Sequence, residues 1–209
     1  MAKKIIITIA RQYGSGGREI GERVAELLGI PIYDKEIITA AADKGNLNVE
    51  VIKNADESAA NSLLYTLAMG SNVIGTTMHF GYKMPINDKL FILQSEVIKE
   101  YAENGSCVII GRCSDHVLRD VEGVLRLFIY GDLEHRKARV AERHPEIKSS
   151  QVIDVINKTD KRRASYYNFY TGNKWGKYDN YDMAINSSTL GIEGTAQLIA
   201  ASARALMEE

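Results

Sequence analysis

Four small residues near the start of the chain have the types and spacing of an anion-binding turn. They lie between a β-branched run at residues 5–9 and a stretch of helical periodicity: Gly14, Ser15, Gly16 and Gly17. Glycines let the backbone wrap a phosphate closely, and a helix start exposes unpaired N–H groups and about half a positive charge. The stretch therefore predicts a phosphate-binding turn. The usual pattern GxxxxGK[ST] ends in a lysine and a hydroxyl residue, whereas Arg18 and Glu19 follow the glycines here.

Two other interpretations of these glycines stay open. They can simply make a tight strand-to-helix turn. They can also belong to a dinucleotide-binding fold, because Asp34 lies 20 residues beyond Gly14, near the separation expected for a ribose-binding acid. Against that fold, Glu19 stands where GxGxxG requires its third glycine, and only a short second strand fits before Asp34. An NAD-binding oxidoreductase is therefore an alternative function.

The elements that position these residues follow from hydrophobic periodicity. Apolar runs predict five strands, at residues 5–9, 30–34, 106–111, 124–130 and 181–186. Helical spacing is found at residues 20–28, 35–104, 132–144, 149–170 and 191–207, with a loop expected at 69–85. Strands that alternate with helices predict a parallel, doubly wound α/β sheet with ligands at the carboxyl ends of its strands.

The composition indicates one globular domain without a strong charge. The chain has 209 residues, of which 45% are hydrophobic and 25% charged. A net charge of -1 gives the chain no overall electrostatic attraction for nucleic acid or an anionic membrane, so we expect small-molecule partners. Cys107 and Cys113 are too few for a disulfide framework, and no apolar run approaches the roughly 20 residues of a membrane span. We therefore expect a cytoplasmic protein with reduced thiols.

Several motifs resemble one family. The opening "ITIARQYGSGGREIGERVAELLGIPIYDKEII" looks like that of the cytidylate kinase-like family, which is similar to bacterial cytidylate kinases and, more distantly, to other nucleoside monophosphate kinases. "VIIGRC", "LFIYGDLEHRKARV", "DKRRASYYNFYTGNKWG" and "YDMAINSSTLGIEGTAQLI" resemble later strands, the lid and the last helix of those kinases. The resemblance covers nearly the whole chain, but residues 36–100 carry no matching motif.

The resemblance implies a fold and an activity. The fold is a P-loop kinase-like three-layer sandwich with a five-stranded parallel sheet, a helical nucleoside monophosphate-binding insert at about residues 36–104 and a lid at about 150–178. The activity is transfer of the ATP γ-phosphate, with Mg²⁺, to a nucleoside monophosphate, most simply CMP or dCMP. Closing of the insert and lid would exclude water and prevent futile hydrolysis.

The glycine loop departs from the family at two positions. Gly17 falls on the phosphate-loop lysine and Glu19 on the magnesium-binding hydroxyl. The forked guanidinium of Arg18, or of Arg11 at the strand end, can reach the same phosphates. Glu19 can contact Mg²⁺ directly or through water, or it can be a first-turn acid that complements the helix dipole. The departures leave open a second function, a nucleotide-binding module without turnover.

The acceptor site is expected at the ends of two other strands. Arg112 matches the arginine that holds the nucleoside monophosphate, although Cys113 stands where those kinases have an acid. Asp34 and Lys35 end the second strand, where Asp34 can touch magnesium-bound water and Lys35 the acceptor phosphate.

The lid supplies further cations. Asp160 and Arg163 match the lid acid and arginine, one helical turn apart. Further cations of the lid and of the preceding helix are candidate phosphate contacts or a solvated face: Arg136, Arg139, Lys161 and Arg162. Seven of the sixteen aromatic residues also lie here: Tyr166, Tyr167, Phe169, Tyr170, Trp175, Tyr178 and Tyr181. They can stack on a base, pack the lid onto the core or form a homodimer surface.

Overall fold

The computed structural model describes residues 3–47 and 85–208. Its centre is one sheet of five parallel strands in the order β2-β3-β1-β4-β5. The strands are β1 (Ile6–Arg11), β2 (Ile32–Tyr33), β3 (Cys107–Ile110), β4 (Val124–Tyr130) and β5 (Met183–Asn186). The expected strands are thus confirmed in place and direction.

Seven α-helices accompany these strands within the described residues. They are α1 (Gly17–Leu28), α2 (Lys35–Gly45), α3 (Ile86–Asn104), α4 (Ser114–Val117), α5 (Leu133–Arg143), α6 (Val152–Thr171) and α7 (Ser187–Glu208). Short 3₁₀ turns at Ser149–Gln151 and Tyr178–Asn180 precede α6 and β5. None of the described helices is long and apolar enough to cross a membrane.

The sheet is buried on both faces, as a parallel sheet requires. Successive side chains of β1 alternate between two cores: Ile7 packs with α1 and α7 on one face, and Ile6 packs with α2 and α3 on the other. The architecture is therefore the expected three-layer α/β sandwich of P-loop kinases. Since β3 lies between β1 and β2, the strand order also differs from that of the dinucleotide-binding fold, in which β2 adjoins β1.

The region between β2 and β3 is helical at both of its described ends, in α2 and α3. The loop expected at residues 69–85 lies, apart from Pro85, outside the described residues. The division of the chain into core, insert and lid stays a prediction.

The aromatic residues after α5 pack mainly within the chain. Tyr166 and Tyr167 are buried, and Tyr170 stacks on Phe91 of α3 with ring centroids 4.2 Å apart. Of the seven aromatic residues noted above, Tyr178 alone is exposed, at 76% of its surface. Packing of α6 onto the core therefore accounts for most of them, and a homodimer through this region stays a prediction.

Asp115 in α4 makes the stability of the fold depend on pH. Its buried carboxylate accepts a hydrogen bond of 2.6 Å from the Tyr167 hydroxyl, yet burial raises the pKa of Asp115 above its ordinary value. An acid with a raised folded-state pKa contributes stability below its unfolded-state pKa and loses it as pH rises through the folded-state pKa.

We expect Asp115→Asn to be more stable than the wild type at neutral pH, because the amide is uncharged and its oxygen still accepts the Tyr167 hydrogen bond. The difference in unfolding free energy, measured in urea between pH 4 and pH 8, should grow with pH. A difference that shrinks over this range would contradict the assignment.

Candidate active site

The glycine loop joins β1 to α1 with a left-handed backbone. Gly14 has φ 80° and Gly16, which caps α1, has φ 77°. A Cβ atom at Gly14 would lie 2.8 Å from the Arg136 carbonyl oxygen, so only glycine fits there. The buried Ser15 hydroxyl donates to the Gln12 carbonyl (2.9 Å), and the Ser187 hydroxyl donates to the Ser15 carbonyl (2.7 Å). These contacts fix the loop at the carboxyl end of β1.

A cleft of about 680 Å³ opens above this loop. Seven basic side chains line it: Arg11, Arg18, Lys35, Arg112, Arg139, Arg143 and Arg163. The acidic lining residues are Glu19 and Asp34. A concave site of this size with such an excess of positive charge attracts an anionic ligand the size of a nucleotide.

Glu19 holds two arginines at the loop. Its Oε2 accepts a hydrogen bond from Arg139 Nη1 (3.0 Å), and its Oε1 lies 2.9 Å from Arg143 Nη1. Glu19 is therefore engaged through both oxygens, and it orients two cations at the rim of the cleft.

Arg18 lies on the solvent side of the cleft. Its Nε is 3.1 Å from Glu22 Oε1 and 3.3 Å from Asp34 Oδ2, and about half of its side chain is exposed. Asp34 is largely buried at the end of β2, and Lys35 begins α2 beside it. The ion pair joins the start of α1 to the second strand.

Arg112 lies in a turn of unusual backbone geometry. Gly111, Arg112 and Cys113 have successive φ values of 70°, 61° and 55°. A left-handed conformation costs an L-residue roughly 1–2 kcal/mol and concentrates at functional sites. The turn places Arg112 at the cleft with 8% of its surface exposed, and this burial lowers the pKa of its guanidinium.

Arg163 of α6 reaches the same region. Its Nη1 donates to the Arg11 carbonyl oxygen (3.1 Å), and its guanidinium lies 5.7 Å from the centre of the Tyr13 ring. Helix α6 thereby brings one cation from its face to the end of β1.

Asp160 and Arg136 hold the glycine loop by hydrogen bonds to the Tyr13 backbone, and neither residue lines the cleft. Asp160 Oδ1 accepts from the Tyr13 N–H (2.7 Å), Asp160 Oδ2 pairs with Arg136 Nη2, and Arg136 Nε donates to the Tyr13 carbonyl (2.8 Å). Lys161 and Arg162 are not at the cleft either. They line a shallow hollow on the outer side of α6, because about 100° of helical rotation per residue turns them away from it.

We expect Asp160→Ala to lower the free energy of unfolding by about 3 kcal/mol, because it leaves Arg136 as an uncompensated buried charge. Thermal or urea unfolding measures the loss. The matched control is Glu134→Ala, which removes an acid from the exposed ion pair with Lys137 and should cost less than about 0.5 kcal/mol. Equal losses of unfolding free energy in the two variants would contradict a stabilising role of the Asp160–Arg136 pair.

Seven cleft residues were not predicted from the sequence: Gln12, Tyr13, Ile38, Thr39, Val140, Arg143 and His144. The Tyr13 and His144 rings stack with centroids 6.3 Å apart. Arg143 follows Arg139 by one helical turn, and this spacing could have indicated from the sequence that both lie on the same face of α5.

The carboxylates of the cleft determine whether it could hold a magnesium ion. Among the described residues, no three His, Cys, Asp or Glu side chains cluster as a metal cage. Mg²⁺ commonly takes one or two carboxylates together with substrate phosphates and water, so a cage is not required. The Asp34 carboxylate at the cleft fits this role better than Glu19, whose two oxygens are both engaged by arginines.

Comparisons with known proteins agree with this architecture. A crystal structure of an uncharacterized protein from Eubacterium ventriosum ATCC 27560 is 27% identical, with a TM-score of 0.68 over 96% of this chain and 98% of that chain. Two kinases share the fold at lower identity. A gluconokinase from Sinorhizobium meliloti 1021 is 14% identical, with a TM-score of 0.56 over 100% of this chain and 96% of that chain. A shikimate kinase from Bacteroides thetaiotaomicron is 13% identical, with a TM-score of 0.55 over 96% of this chain and 98% of that chain. A search of curated proteins found no match.

The family follows from the sequence itself. The model of the cytidylate kinase-like family matches residues 6–189, a span that includes the glycine loop, the Arg112 turn and α6. Membership and fold together support a nucleotide-dependent phosphotransferase. The chain belongs to the cytidylate kinase-like family.

Proposed function

We propose that the protein is an ATP-dependent nucleoside monophosphate kinase, with CMP or dCMP as its simplest acceptors. The observation that carries the proposal is the convergence of the glycine loop, the Arg112 turn and Arg163 on one strongly basic cleft. A triphosphate and a monophosphate held in line need such a concentration of cations.

In the proposed reaction, an oxygen of the acceptor phosphate attacks the γ-phosphorus of ATP. The bond from that phosphorus to the β,γ-bridging oxygen breaks, ADP leaves with the electron pair, and a nucleoside diphosphate forms. Because a phosphate monoester is largely ionised near neutral pH, the attacking oxygen needs no general base. Cations that position and neutralise the phosphates are therefore sufficient.

The cleft residues divide between the two substrates. The glycine loop with Arg18, Arg139 and Arg143 faces the ATP phosphates, whereas Arg112, Arg163 and Lys35 face the acceptor. Asp34 would hold Mg²⁺ through an oxygen or through water. Bound with ATP, the ion would neutralise charge on the β- and γ-phosphates.

A coupled ADP-release assay across the nucleoside monophosphates tests the proposal. We expect CMP or dCMP to stimulate ADP release well above the rate with ATP alone. An absence of stimulation by every acceptor would remove the kinase assignment.

A second candidate is a nucleotide-binding module of the same fold without turnover. Gly17 at the lysine position and the engagement of both Glu19 oxygens by arginines favour it. This candidate requires ATP binding in calorimetry together with no product from any acceptor.

A further inference from the structure

Two positions of the glycine loop have exchanged a small residue and a basic one. In the pattern GxxxxGK, the first position is glycine and the seventh is lysine. Laid on residues 11–17, the pattern meets Arg11 at the first position and Gly17 at the seventh. The cation has moved from the start of the helix to the end of the strand.

Contacts explain why both changes occur together. A Cβ atom at Gly17 would lie 2.6 Å from Arg11 Cβ and 3.1 Å from Arg11 Cγ. Arg11 Cβ is attached to the backbone of β1, which is paired with β4 as far as Arg11 itself, opposite Ile129, so this atom is held in place. An arginine at position 11 and a lysine at position 17 therefore exclude each other.

The head of Arg11 has a second glycine beside it. A Cβ atom at Gly111 would overlap Arg11 Nη1, so the guanidinium lies directly against the backbone of the turn that carries Arg112. Arg11 thus extends from the glycine loop to that turn along the wall of the cleft. Arg18, in contrast, is half exposed and pairs with Glu22 and Asp34.

We propose that Arg11 replaces the phosphate-loop lysine and neutralises the β- and γ-phosphates of the bound nucleotide. This inference rests on the proposed function, because the junction of the loop and the Arg112 turn is where donor and acceptor phosphates would meet. The forked guanidinium can donate two parallel N–H hydrogen bonds to phosphate oxygens in a fixed planar geometry, whereas the lysine ammonium acts as a point charge on a flexible stem. The missing side chain at Gly17 leaves room for the aliphatic part of Arg11, and the missing side chain at Gly111 leaves room for its guanidinium.

The experiment compares single variants with the restored ordinary pattern. Arg11→Ala should lower kcat/KM about 100-fold and weaken ATP binding in calorimetry. Arg18→Ala, which removes an equal charge seven residues later, should lose less than about tenfold. Gly17→Lys alone should also lose activity, whereas the double variant Arg11→Gly/Gly17→Lys should recover at least about tenfold over Arg11→Ala. Lys137→Ala, an exposed change on α5, should match the wild type.

The outcomes separate the inference from the proposed function. An Arg11→Ala protein that is folded by circular dichroism and binds ATP as the wild type does would overturn the inference, as would a double variant no more active than Arg11→Ala. A wild type that binds ATP through Arg11 but phosphorylates no nucleoside monophosphate would overturn the proposed function and support the inference. A wild type that binds no nucleoside triphosphate would overturn both.

Discussion

Arg112→Ala should reduce kcat by about 100- to 1,000-fold while the dissociation constant for ATP stays within about twofold of the wild type. The reason is its position: Arg112 lies in the turn after β3, lines the same cleft as the glycine loop, and has a charge that is largely removed from water. A charge acts more strongly on a neighbouring phosphate in such surroundings than at the surface. Steady-state kinetics and ATP calorimetry on the same preparation measure the two effects.

A conservative variant and a distant one serve as controls for Arg112. Arg112→Lys keeps the charge without the forked geometry and should recover part of the activity. Lys137→Ala should have wild-type kinetics. If Arg112→Ala weakened ATP binding as much as it lowered kcat, Arg112 would belong to the donor side of the cleft.

Gly14→Ala should destabilise the fold by about 3 kcal/mol and abolish measurable ATP binding. Two costs add: alanine is disfavoured at φ 80°, and its Cβ would press on the Arg136 carbonyl at 2.8 Å. Any shift that relieves this contact moves the loop N–H groups that a phosphate requires. Urea unfolding and ATP calorimetry measure the two losses.

Gly29→Ala is the matched control for Gly14. Gly29 also has a left-handed backbone, with φ 65°, but no atom lies within 4 Å of the Cβ that a substitution would add. This variant should therefore lose only about 1 kcal/mol and keep its ATP affinity. Similar losses in the two variants would show that the Arg136 contact contributes nothing.

The fold was largely predictable because its signals are local. The unbroken β-branched run around Ile7 indicates a strand covered on both faces, and the structure confirms this. The turn from Gly14 to Gly17 was likewise predictable, because clustered glycines between a strand and a helix favour a tight left-handed turn, and Gly14 and Gly16 have φ values of 80° and 77°.

The partners of the charged side chains were less predictable because they depend on tertiary packing. The sequence shows that Asp160 and Arg163 share a helix face, but not that Asp160 contacts the loop backbone while Arg163 reaches the cleft. It shows Glu19 beside the glycines, but not that α5 brings Arg139 and Arg143 to it. Helical periodicity gives a direction around one axis, whereas these contacts need the distance between two axes.

The exchange between Arg11 and Gly17 lies between these cases. Both residues can be read from the sequence. Their dependence on each other can be seen only in the structure, where the aliphatic part of Arg11 occupies the space that a side chain at position 17 would need.

Helix α6 contacts both the glycine loop and α3. Asp160 holds the Tyr13 backbone in the glycine loop, and nearly three turns later Tyr170 donates to Asp88 of α3 (2.9 Å) and stacks on Phe91. One helix therefore connects the glycine loop, proposed to hold ATP, to α3, the last helix of the insert proposed to hold the acceptor. We expect the two substrates to bind cooperatively, and thermodynamic linkage makes the effect reciprocal: the factor by which ATP tightens the acceptor is the factor by which the acceptor tightens ATP.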